Sequence, residues 1–409
     1  MAKIFARWQQ KRIRDVLKHR RVVVVYGPRQ SGKTTLAQLL ATRQDSFVTL
    51  DNSMVLTTAL NDPMGFVRHA KGTMIIDEIQ KAPSLLLAIK QAVDSDSRPG
   101  QFLLTGSADI RTLPVITDSL AGRISHVHLR GLTTGEILGK KPSFLIRSFQ
   151  RSWPSQIKGY DKPTVVELAF RGSYPEVLRL SEARRKGWFE DYTKSLLSRD
   201  LRDIANIRRQ ETMRDLLVTL YAWSSKFMDI TSICAKLSIS RETFRSYVSA
   251  LMSLCLFERI PPWLRTDYER VGRRDKHFST DTGLMASLLN WRLPEVLLDS
   301  DKSGKIVETL VFNELSAQVD LDYTYTLYHY RDREDREIDF IVENDRGELL
   351  GIEVKAGSAV SSNDYKSMVW FKNNIAKDKP FMGIVLYTGE HSLSLGKDMY
   401  AIPIAALWS

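Results

Sequence analysis

The sequence predicts an α/β protein with a parallel sheet near its amino terminus, and two patterns support this fold class. Short apolar runs rich in β-branched residues alternate with helical patterns over about the first 135 residues. Such runs are typical of buried parallel strands, which need helices between them to cross the sheet. The pattern then becomes mainly helical and basic, and from about residue 300 a helix precedes strands with period-two alternation.

The elements at the start of the chain follow from these patterns. Residues 1–20 have the pattern of a basic amphipathic helix, and Val22–Tyr26 is a β-branched run that predicts the first strand. Further strands of a doubly wound sheet are predicted at Phe47–Leu50, Thr73–Ile76, Phe102–Thr105 and His126–Leu129. Residues 210–260 predict three short helices.

Charge is unevenly distributed along the chain. The net charge is +11, from 59 Lys and Arg against 48 Asp and Glu. Residues 301–409 contain 12 basic and 18 acidic residues, a net of −6, so residues 1–300 carry a net of +17. Positive surface favours a polyanion such as nucleic acid. An alternative is a charged surface that only keeps the protein in solution.

Composition narrows the class of protein. The two cysteines, Cys234 and Cys255, are too few for a disulfide scaffold. The first 21 residues lack the apolar segment of a signal peptide, and the apolar stretch that follows is too short to cross a bilayer. We therefore expect a cytoplasmic protein without a membrane-spanning segment.

A phosphate-binding loop follows the first predicted strand. Residues 27–34 match G-x-x-x-x-G-K-[ST] and open a predicted helix at Thr34–Ala41. Backbone N–H groups of such a loop face phosphate oxygens, Lys33 reaches the β- and γ-phosphates, and the Thr34 hydroxyl binds Mg²⁺. The predicted nucleotide-binding residues are Gly27, Pro28, Arg29, Gln30, Ser31, Gly32, Lys33, Thr34 and Thr35. The alternative is a glycine-rich turn without a ligand.

Residues that complete a hydrolytic site are expected after the third and fourth strands. Asp77 is predicted to hold the Mg²⁺ water shell, and Glu78 to orient or deprotonate the attacking water. In a second interpretation these carboxylates only cap the next helix. Thr105 or Ser107 is a candidate sensor of the γ-phosphate, unless this is a simple strand-to-loop turn.

Arg123 is a candidate for stabilising charge in the transition state, in the same subunit or across a subunit boundary. A surface arginine without this role is the alternative.

A helix-turn-helix is predicted within residues 229–254. Its first helix is Asp229–Leu237, and its second, Arg241–Leu254, has Ser240 as the N-cap. Residues near the exposed start of the second helix are expected to face the major groove of DNA: Arg241, Thr243 and Arg245. Phe257–Trp263, followed by arginines at 265, 270, 273 and 274, suggests a basic wing. Packing against another protein or subunit is the alternative role.

An acidic hairpin is predicted further along the chain. Centring it near Arg346 places Asp339 opposite Glu353, with Lys355 on the same face. Facing carboxylates repel unless a cation lies between them, and their hard oxygens suit Mg²⁺ or Mn²⁺. Glu308 is a candidate further ligand, and Lys355 a catalytic residue. Four residues are predicted to share the opposite face and to be buried: Ile338, Phe340, Ile352 and Val354.

The alternative for this hairpin is a solvated face with compensating charges, such as Lys355 beside Glu353. The D…E-x-K spacing is that of metal-dependent phosphodiester cleavage.

Together these motifs resemble prokaryotic ATPases that have an AAA-type P-loop core followed by a domain of unknown function 4143. The resemblance rests on Gly27–Thr35, Ile75–Lys81, Leu104–Ser107, Ala121–Arg123, Gly131–Glu136, Gly172–Glu176, Gly304–Glu308, Glu337–Phe340 and Ile352–Lys355. It implies ATP and Mg²⁺ as cofactors, a restriction-endonuclease-like fold for the last three segments, and a ring or other homo-oligomer. The segment that ends at Ser107 lacks the asparagine common as a sensor in AAA-type ATPases, and no second-sensor arginine is evident.

The predicted domains are an AAA-type core at 1–137, a helical region at 138–209, a winged helix-turn-helix at 210–275 and a restriction-endonuclease-like domain at 276–409. The preferred function is ATP hydrolysis coupled to action on DNA, with Mg²⁺- or Mn²⁺-dependent nuclease chemistry in the last domain. The alternatives are a nucleotide-dependent regulatory switch with an inert last domain, and an ATPase that remodels proteins without nucleic acid.

Overall fold

The structure, a computed structural model, describes residues 4–68, 72–107, 122–201, 210–265 and 274–409. The chain divides into two units. Unit 1 comprises residues 1–132 and 249–256, and unit 2 comprises residues 133–248 and 257–409. The finer division into four domains stays a prediction.

Unit 1 is built on a five-stranded parallel sheet. Its strands are β1 Val22–Tyr26, β2 Ser46–Thr49, β3 Met74–Asp77, β4 Phe102–Gly106 and β5 Ile124–His128, in the order β2-β3-β4-β1-β5. All neighbouring pairs are parallel. The predicted α/β fold with a parallel sheet is therefore confirmed, and β4 lies between β1 and β3.

The first strand explains why the sheet is apolar on both sides. Val22 and Val24 pack into one hydrophobic cluster, whereas Val23 and Val25 pack into another. Since successive strand residues point to opposite faces, a continuous β-branched run buries both faces at once. The helices of this unit are α1 Gln9–Leu17, α2 Lys33–Leu40, α3 Ser53–Asn61, α4 Pro63–Phe66 and α5 Leu85–Ser95.

Unit 2 begins with a helical region, and further helices lie between its later strands. The α-helices of the unit are α6 Thr134–Ile137, α7 Phe144–Phe149, α8 Lys162–Arg171, α9 Glu182–Ser195, α10 Gln210–Ala222, α11 Ile230–Leu237, α12 Arg241–Ser253, α13 Thr282–Leu288, α14 Leu293–Leu298, α15 Ser300–Val319 and α16 Lys366–Asn374. The last residues of α12 belong to unit 1. The three helices predicted within residues 210–260 are α10, α11 and α12. A two-stranded antiparallel sheet of β6 Phe257–Ile260 and β7 Lys276–Ser279 follows.

The larger sheet of unit 2 has six strands and mixed directions. Its strands are β8 Tyr325–Arg331, β9 Glu337–Asn344, β10 Leu349–Lys355, β11 Phe381–Tyr387, β12 Leu393–Gly396 and β13 Met399–Pro403, in the order β12-β13-β11-β10-β9-β8. Strands β9 and β10 form the predicted hairpin, in which Ile352 pairs with Phe340. This register places Asp339 and Glu353 next to each other, as the hairpin centre predicted.

One detail of the hairpin was predicted wrongly. Tyr328 pairs with Ile341 but Tyr330 pairs with Ile338, so β9 contains one extra residue within this stretch. Such a bulge reverses the facing of the residues beyond it. Ile338 therefore packs in a different cluster from Phe340 and Ile352, which remain together.

A buried carboxyl group fixes the start of α6. Thr133 and Glu136 form a capping box, and the backbone N–H of Thr134 donates to Glu314 of α15. Glu314 is 2% exposed. Burial raises the pKa of Glu314 to about 7, although hydrogen bonds from Thr134 act in the opposite direction.

Glu314 gives a pH-dependent prediction. Because its folded-state pKa lies above the ordinary 4.5, the folded chain keeps a proton that the unfolded chain releases. Stability is therefore lost as the pH rises from about 4.5 to about 7. Glu314→Gln removes this titration, and we expect its free energy of unfolding relative to the parent to rise by about 1–3 kcal/mol across this window.

Urea unfolding of both proteins at about pH 5 and about pH 8 measures this change. The exposed Glu295→Gln is the matched control and should show no such change. An equal difference between Glu314→Gln and the parent at both pH values would contradict the prediction.

Among the described residues, no helix combines the length and the apolar character needed to span a bilayer.

Candidate functional sites

The glycine-rich loop lies between β1 and α2, as the motif requires. Gly27 has to be glycine because a Cβ there would overlap the carbonyl oxygen of Leu129. Gly32 precedes α2 with a φ of 94°, a left-handed conformation that glycine adopts without strain. The N-terminus of α2 thus directs its free N–H groups to this loop, an arrangement suited to an anion.

Lys33 is buried within this loop. Its ammonium group donates to the carbonyl oxygens of Gly27 and Pro28, at 3.0 and 2.7 Å. Burial lowers the pKa of Lys33 to about 8, while the nearby carboxylates of Glu78 and Asp77 raise it. A bound triphosphate would offer this ammonium group charged acceptors and would favour its protonated form.

The expected ligands of Mg²⁺ converge on one point. The Thr34 hydroxyl donates to the carboxylate oxygens of Asp77, at 3.0 and 3.1 Å. Thr49 also donates to this carboxylate, at 3.3 Å, and so does Thr105. A hydroxyl beside a carboxylate fits the hard oxygen preference of Mg²⁺, so Thr34 and Asp77 would hold the ion of a bound nucleotide.

Glu78 follows Asp77 in a left-handed conformation, with a φ of 60°. This conformation is uncommon outside glycine and is found at functional sites. The Gln80 amide donates to the Glu78 carboxylate and also to the Ser107 hydroxyl, the latter at 2.9 Å. Ser107 is therefore linked to Glu78 through Gln80, and Thr105 is linked to Asp77.

Sequence reasoning missed Gln80. The sequence feature that could have indicated Gln80 is its position two residues after Glu78. A short 3₁₀ turn at Ile79–Lys81 brings the Gln80 side chain back beside the Glu78 carboxylate.

Arg123 does not lie with these residues. It precedes β5, whose first residue pairs with Val22 at the start of β1, whereas the loop follows the other end of β1. A five-residue strand spans roughly 13–16 Å, so Arg123 is at the opposite edge of the sheet. It forms an ion pair with Asp94 there. This placement contradicts a role at the phosphates of the same subunit, and a role across a subunit boundary stays a prediction.

Arg7 holds the loop from outside the motif, and no sequence signal pointed to it. Its guanidinium group donates to the carbonyl oxygen of Ser31 at 2.7 Å. It also donates to the carbonyl oxygens of Arg130 and Gly131, at 2.7 and 3.2 Å. Arg7 thus joins the phosphate-binding loop to the segment that follows β5.

The second candidate site is in unit 2 and is called the carboxylate centre. It consists of Glu308, Glu337, Asp339 and Glu353 with Lys276 and Lys355. Glu308 comes from α15, Asp339 from β9, and Glu353 and Lys355 from β10, so the predicted residues are brought together. Lys355 lies 3.5 Å from Glu353 and 3.6 Å from Asp364.

Lys276, which the sequence analysis missed, is at the middle of the carboxylate centre. Its ammonium nitrogen lies 2.7 Å from Glu308, 2.7 Å from Glu337 and 3.1 Å from Asp339. The lysine side chain is 1% exposed. Burial lowers the pKa of Lys276, but the three carboxylates together raise it well above its ordinary value.

The carboxylates repel one another. Burial and the neighbouring charge of Asp339 raise the pKa of Glu308 to about 8, against the effect of Lys276. The same two causes raise the pKa of Glu353 well above its ordinary value. The second oxygen of Asp339 accepts a hydrogen bond from the backbone N–H of Val354 at 2.9 Å.

The carboxylate centre does not fit a divalent ion as the sequence predicted. Glu308, Asp339 and Glu353 were expected to bind Mg²⁺ or Mn²⁺, but the cation among them is the Lys276 ammonium group. In the described part of the chain, no three or more acidic, histidine or cysteine side chains are arranged to hold a metal ion.

A cavity of about 720 Å³ opens onto the carboxylate centre. Basic residues contribute to its lining: Lys162, Lys226, Arg331 and Lys355. The Arg331 guanidinium group lies over the ring of Phe227, 4.5 Å from its centroid. The cavity therefore combines an acidic floor with cationic groups.

The predicted helix-turn-helix is formed by α11 and α12. The Ser240 hydroxyl accepts from the backbone N–H of Thr243 at 3.0 Å, which confirms the N-cap. Arg241 and Arg245 are exposed, and Arg241 donates to Thr231 at 2.9 Å. Thr243 is instead half-buried and its hydroxyl bonds to that of Ser240, 2.9 Å away.

The antiparallel strands β6 and β7 follow α12, at the position where the wing was expected. Its arginines at 270 and 273 are outside the described residues, and Arg265 pairs with Asp378 at 3.2 Å. Trp263 is buried and donates to Glu343 at 3.1 Å, so this part of the predicted wing packs inward.

Three family models match separate parts of the chain. Residues 19–138 match an AAA domain, residues 162–295 match the domain of unknown function DUF8612, and residues 303–407 match the domain of unknown function DUF4143. The phosphate-binding loop, Asp77 and Glu78 are within the first match, and most of the carboxylate centre is within the third.

Two mycobacterial proteins are similar over nearly the whole chain. They are the uncharacterized proteins Rv2008c of Mycobacterium tuberculosis and Mb2031c of Mycobacterium bovis. Each is 29% identical over 392 residues, which cover 96% of this chain and 82% of the relative.

Solved structures show weaker similarity. The Walker-type ATPase PABY2304 of Pyrococcus abyssi has a TM-score of 0.43 at 14% identity, covering 70% of this chain and 96% of that chain. The RuvB Holliday junction branch migration motor of Thermotoga maritima has a TM-score of 0.31 at 16% identity, with the same coverage. With TM-scores below 0.5, neither informs the function of this chain.

The family matches together support an AAA-type ATPase with a DUF4143 domain in its C-terminal part.

Proposed function

We propose that this protein hydrolyses ATP at the phosphate-binding loop and couples the reaction to action on DNA. The contact between Thr34 and Asp77 carries the ATPase part, because it unites the hydroxyl and the carboxylate that a nucleotide-bound Mg²⁺ requires. Glu78 would orient the attacking water, and its contact with Gln80 would hold the carboxylate in place.

The position of Arg123 extends this proposal to a homo-oligomer. Because it lies at the edge of the sheet opposite the loop, it can reach a nucleotide only in a neighbouring subunit. An arginine supplied across a subunit boundary would stabilise the charge that develops on the transferred phosphoryl group.

DNA is the proposed partner because of the exposed start of α12. Arg241 and Arg245 lie just after the Ser240 cap, at the end of the second helix that enters the major groove in helix-turn-helix proteins. The net charge of +17 in residues 1–300 adds attraction for the phosphate backbone.

Metal-dependent cleavage of DNA is a second candidate. The convergence of Glu308, Asp339, Glu353 and Lys355 favours it. The ammonium group of Lys276 opposes it, so cleavage is not the function we prefer. A gel assay of duplex DNA with Mg²⁺ or Mn²⁺, using the parent and Lys355→Ala, separates the two candidates: cleavage lost in the variant would favour the nuclease.

We expect the double variant Arg241→Ala/Arg245→Ala to bind duplex DNA roughly tenfold more weakly at low salt, with a smaller salt dependence. The physical reason is the loss of two charges that would face phosphates or base edges. Fluorescence anisotropy of labelled DNA over a salt series measures both effects.

Arg292→Ala/Arg346→Ala is the matched control, since it removes the same charge from two other exposed positions. Equal weakening by both double variants would show that the helix-turn-helix makes no special contact, and would contradict this part of the proposal.

A further inference from the structure

We propose that Lys276 is a built-in cation which takes the place of a divalent metal ion in the carboxylate centre. The inference goes beyond the proposed function, because it depends neither on ATP hydrolysis nor on DNA. It assigns the centre to a class of sites in which a fixed ammonium group neutralises the carboxylates, so that no metal ion is needed.

The position of the ammonium group is the first support. It contacts three carboxylates from two different elements: Glu308 on α15, and Glu337 and Asp339 on β9 near the bulge. Distances of 2.7–3.1 Å are those of charge-assisted hydrogen bonds. A metal ion bound by these carboxylates would compete with the ammonium group for the same oxygens.

The lysine cannot easily leave this position. It belongs to β7, where it pairs with Ile260 of β6, and its neighbour Phe278 packs in the main hydrophobic core of unit 2. The ammonium group lies 5.9 Å from the ring centroids of both Phe227 and Phe278. Displacing it would leave a buried charge without partners, which is strongly unfavourable.

Charge also argues for the lysine as the resident cation. Lys276 is the more buried of the two ammonium groups in the carboxylate centre. A divalent ion added beside it would meet a positive charge at contact distance, and the two cations would repel each other strongly in this buried site. Removing Lys276 would therefore convert the site into one that attracts a divalent ion.

Mn²⁺ binding to the full-length chain, followed by electron paramagnetic resonance, tests this assignment. All samples carry Asp77→Asn, which removes a metal ligand of the nucleotide site. We expect the parent to bind Mn²⁺ only weakly and Lys276→Met to bind it roughly a hundredfold more tightly or better. Adding Glu353→Gln to Lys276→Met should reverse most of this gain.

Thermal unfolding gives a second readout. Saturating Mn²⁺ should raise the melting temperature of Lys276→Met by about 5 °C and leave that of the parent unchanged. Lys355→Met is the matched control, since the Lys355 side chain is 35% exposed and lies at the edge of the carboxylate centre. It should not gain Mn²⁺ affinity comparable to that of Lys276→Met.

Two results would overturn the proposal. One is stoichiometric Mn²⁺ binding by the parent that is lost on Glu353→Gln, because the carboxylates would then hold a metal despite the lysine. The other is a folded Lys276→Met that binds no more Mn²⁺ than the parent, because the lysine would then not occupy a cation site. If Lys276→Met does not fold, the titration of the parent with and without Glu353→Gln decides.

Discussion

Glu78→Gln lowers the rate of ATP hydrolysis by about 10²–10⁴-fold and leaves ATP binding within a few-fold of the parent. The amide keeps the size and the hydrogen-bonding shape of the side chain but cannot accept a proton from the attacking water. The loop, Lys33 and the contact between Thr34 and Asp77 are unaffected, so the nucleotide should still bind. Steady-state phosphate release and equilibrium binding of a fluorescent ATP analogue measure the two quantities separately.

Asp15→Asn is the control for this change. It also replaces a carboxylate of unit 1 by an amide, but Asp15 lies on the exposed side of α1, where it forms an ion pair with Lys18. We expect it to turn over ATP at the parental rate. A Glu78→Gln variant that stays within tenfold of the parent would assign the attacking water to another residue.

Lys276→Met is expected to destabilise unit 2 by about 3–5 kcal/mol in the absence of divalent ions. Methionine fills a similar volume but leaves the buried carboxylates of Glu308 and Asp339 without their cation. Removing one partner of a buried charge network costs far more than the pair contributes, because the remaining charges are already out of water.

Urea unfolding followed by tryptophan fluorescence measures this loss. Seven of the eight tryptophans lie in unit 2, so the signal reports mainly on that unit. Lys355→Met is the matched control, and its half-buried ion pairs should contribute only about 0–1 kcal/mol. Similar losses in the two variants would show that Lys276 has no special place in the carboxylate centre.

Local patterns predicted most of unit 1. The strand Val22–Tyr26 was predicted with its exact bounds, because a β-branched run before a phosphate-binding loop has few other interpretations. The proximity of Thr34 and Asp77 also followed, since the carboxyl ends of parallel strands meet at one edge of the sheet. The same rule applied to Arg123 would have placed it at the opposite edge, because it precedes its strand rather than following it.

In unit 2, local contacts were predictable from the sequence, whereas contacts between distant segments were not. The hairpin register between Asp339 and Glu353 depends on nearby residues and was predicted correctly. The bulge in β9 depends on its pairing with β8, so alternation along one strand could not reveal it. Lys276 is more than 60 residues from Asp339 in sequence, and only tertiary packing brings its ammonium group to that carboxylate.

The rate of ATP hydrolysis by the full-length chain, with and without duplex DNA, tests the central claim most directly. We expect DNA to increase the rate, the increase to disappear in Arg241→Ala/Arg245→Ala, and hydrolysis itself to disappear in Lys33→Ala. Hydrolysis that depends on Lys33 but does not change with DNA would contradict the coupling and would leave an ATPase whose partner is not DNA.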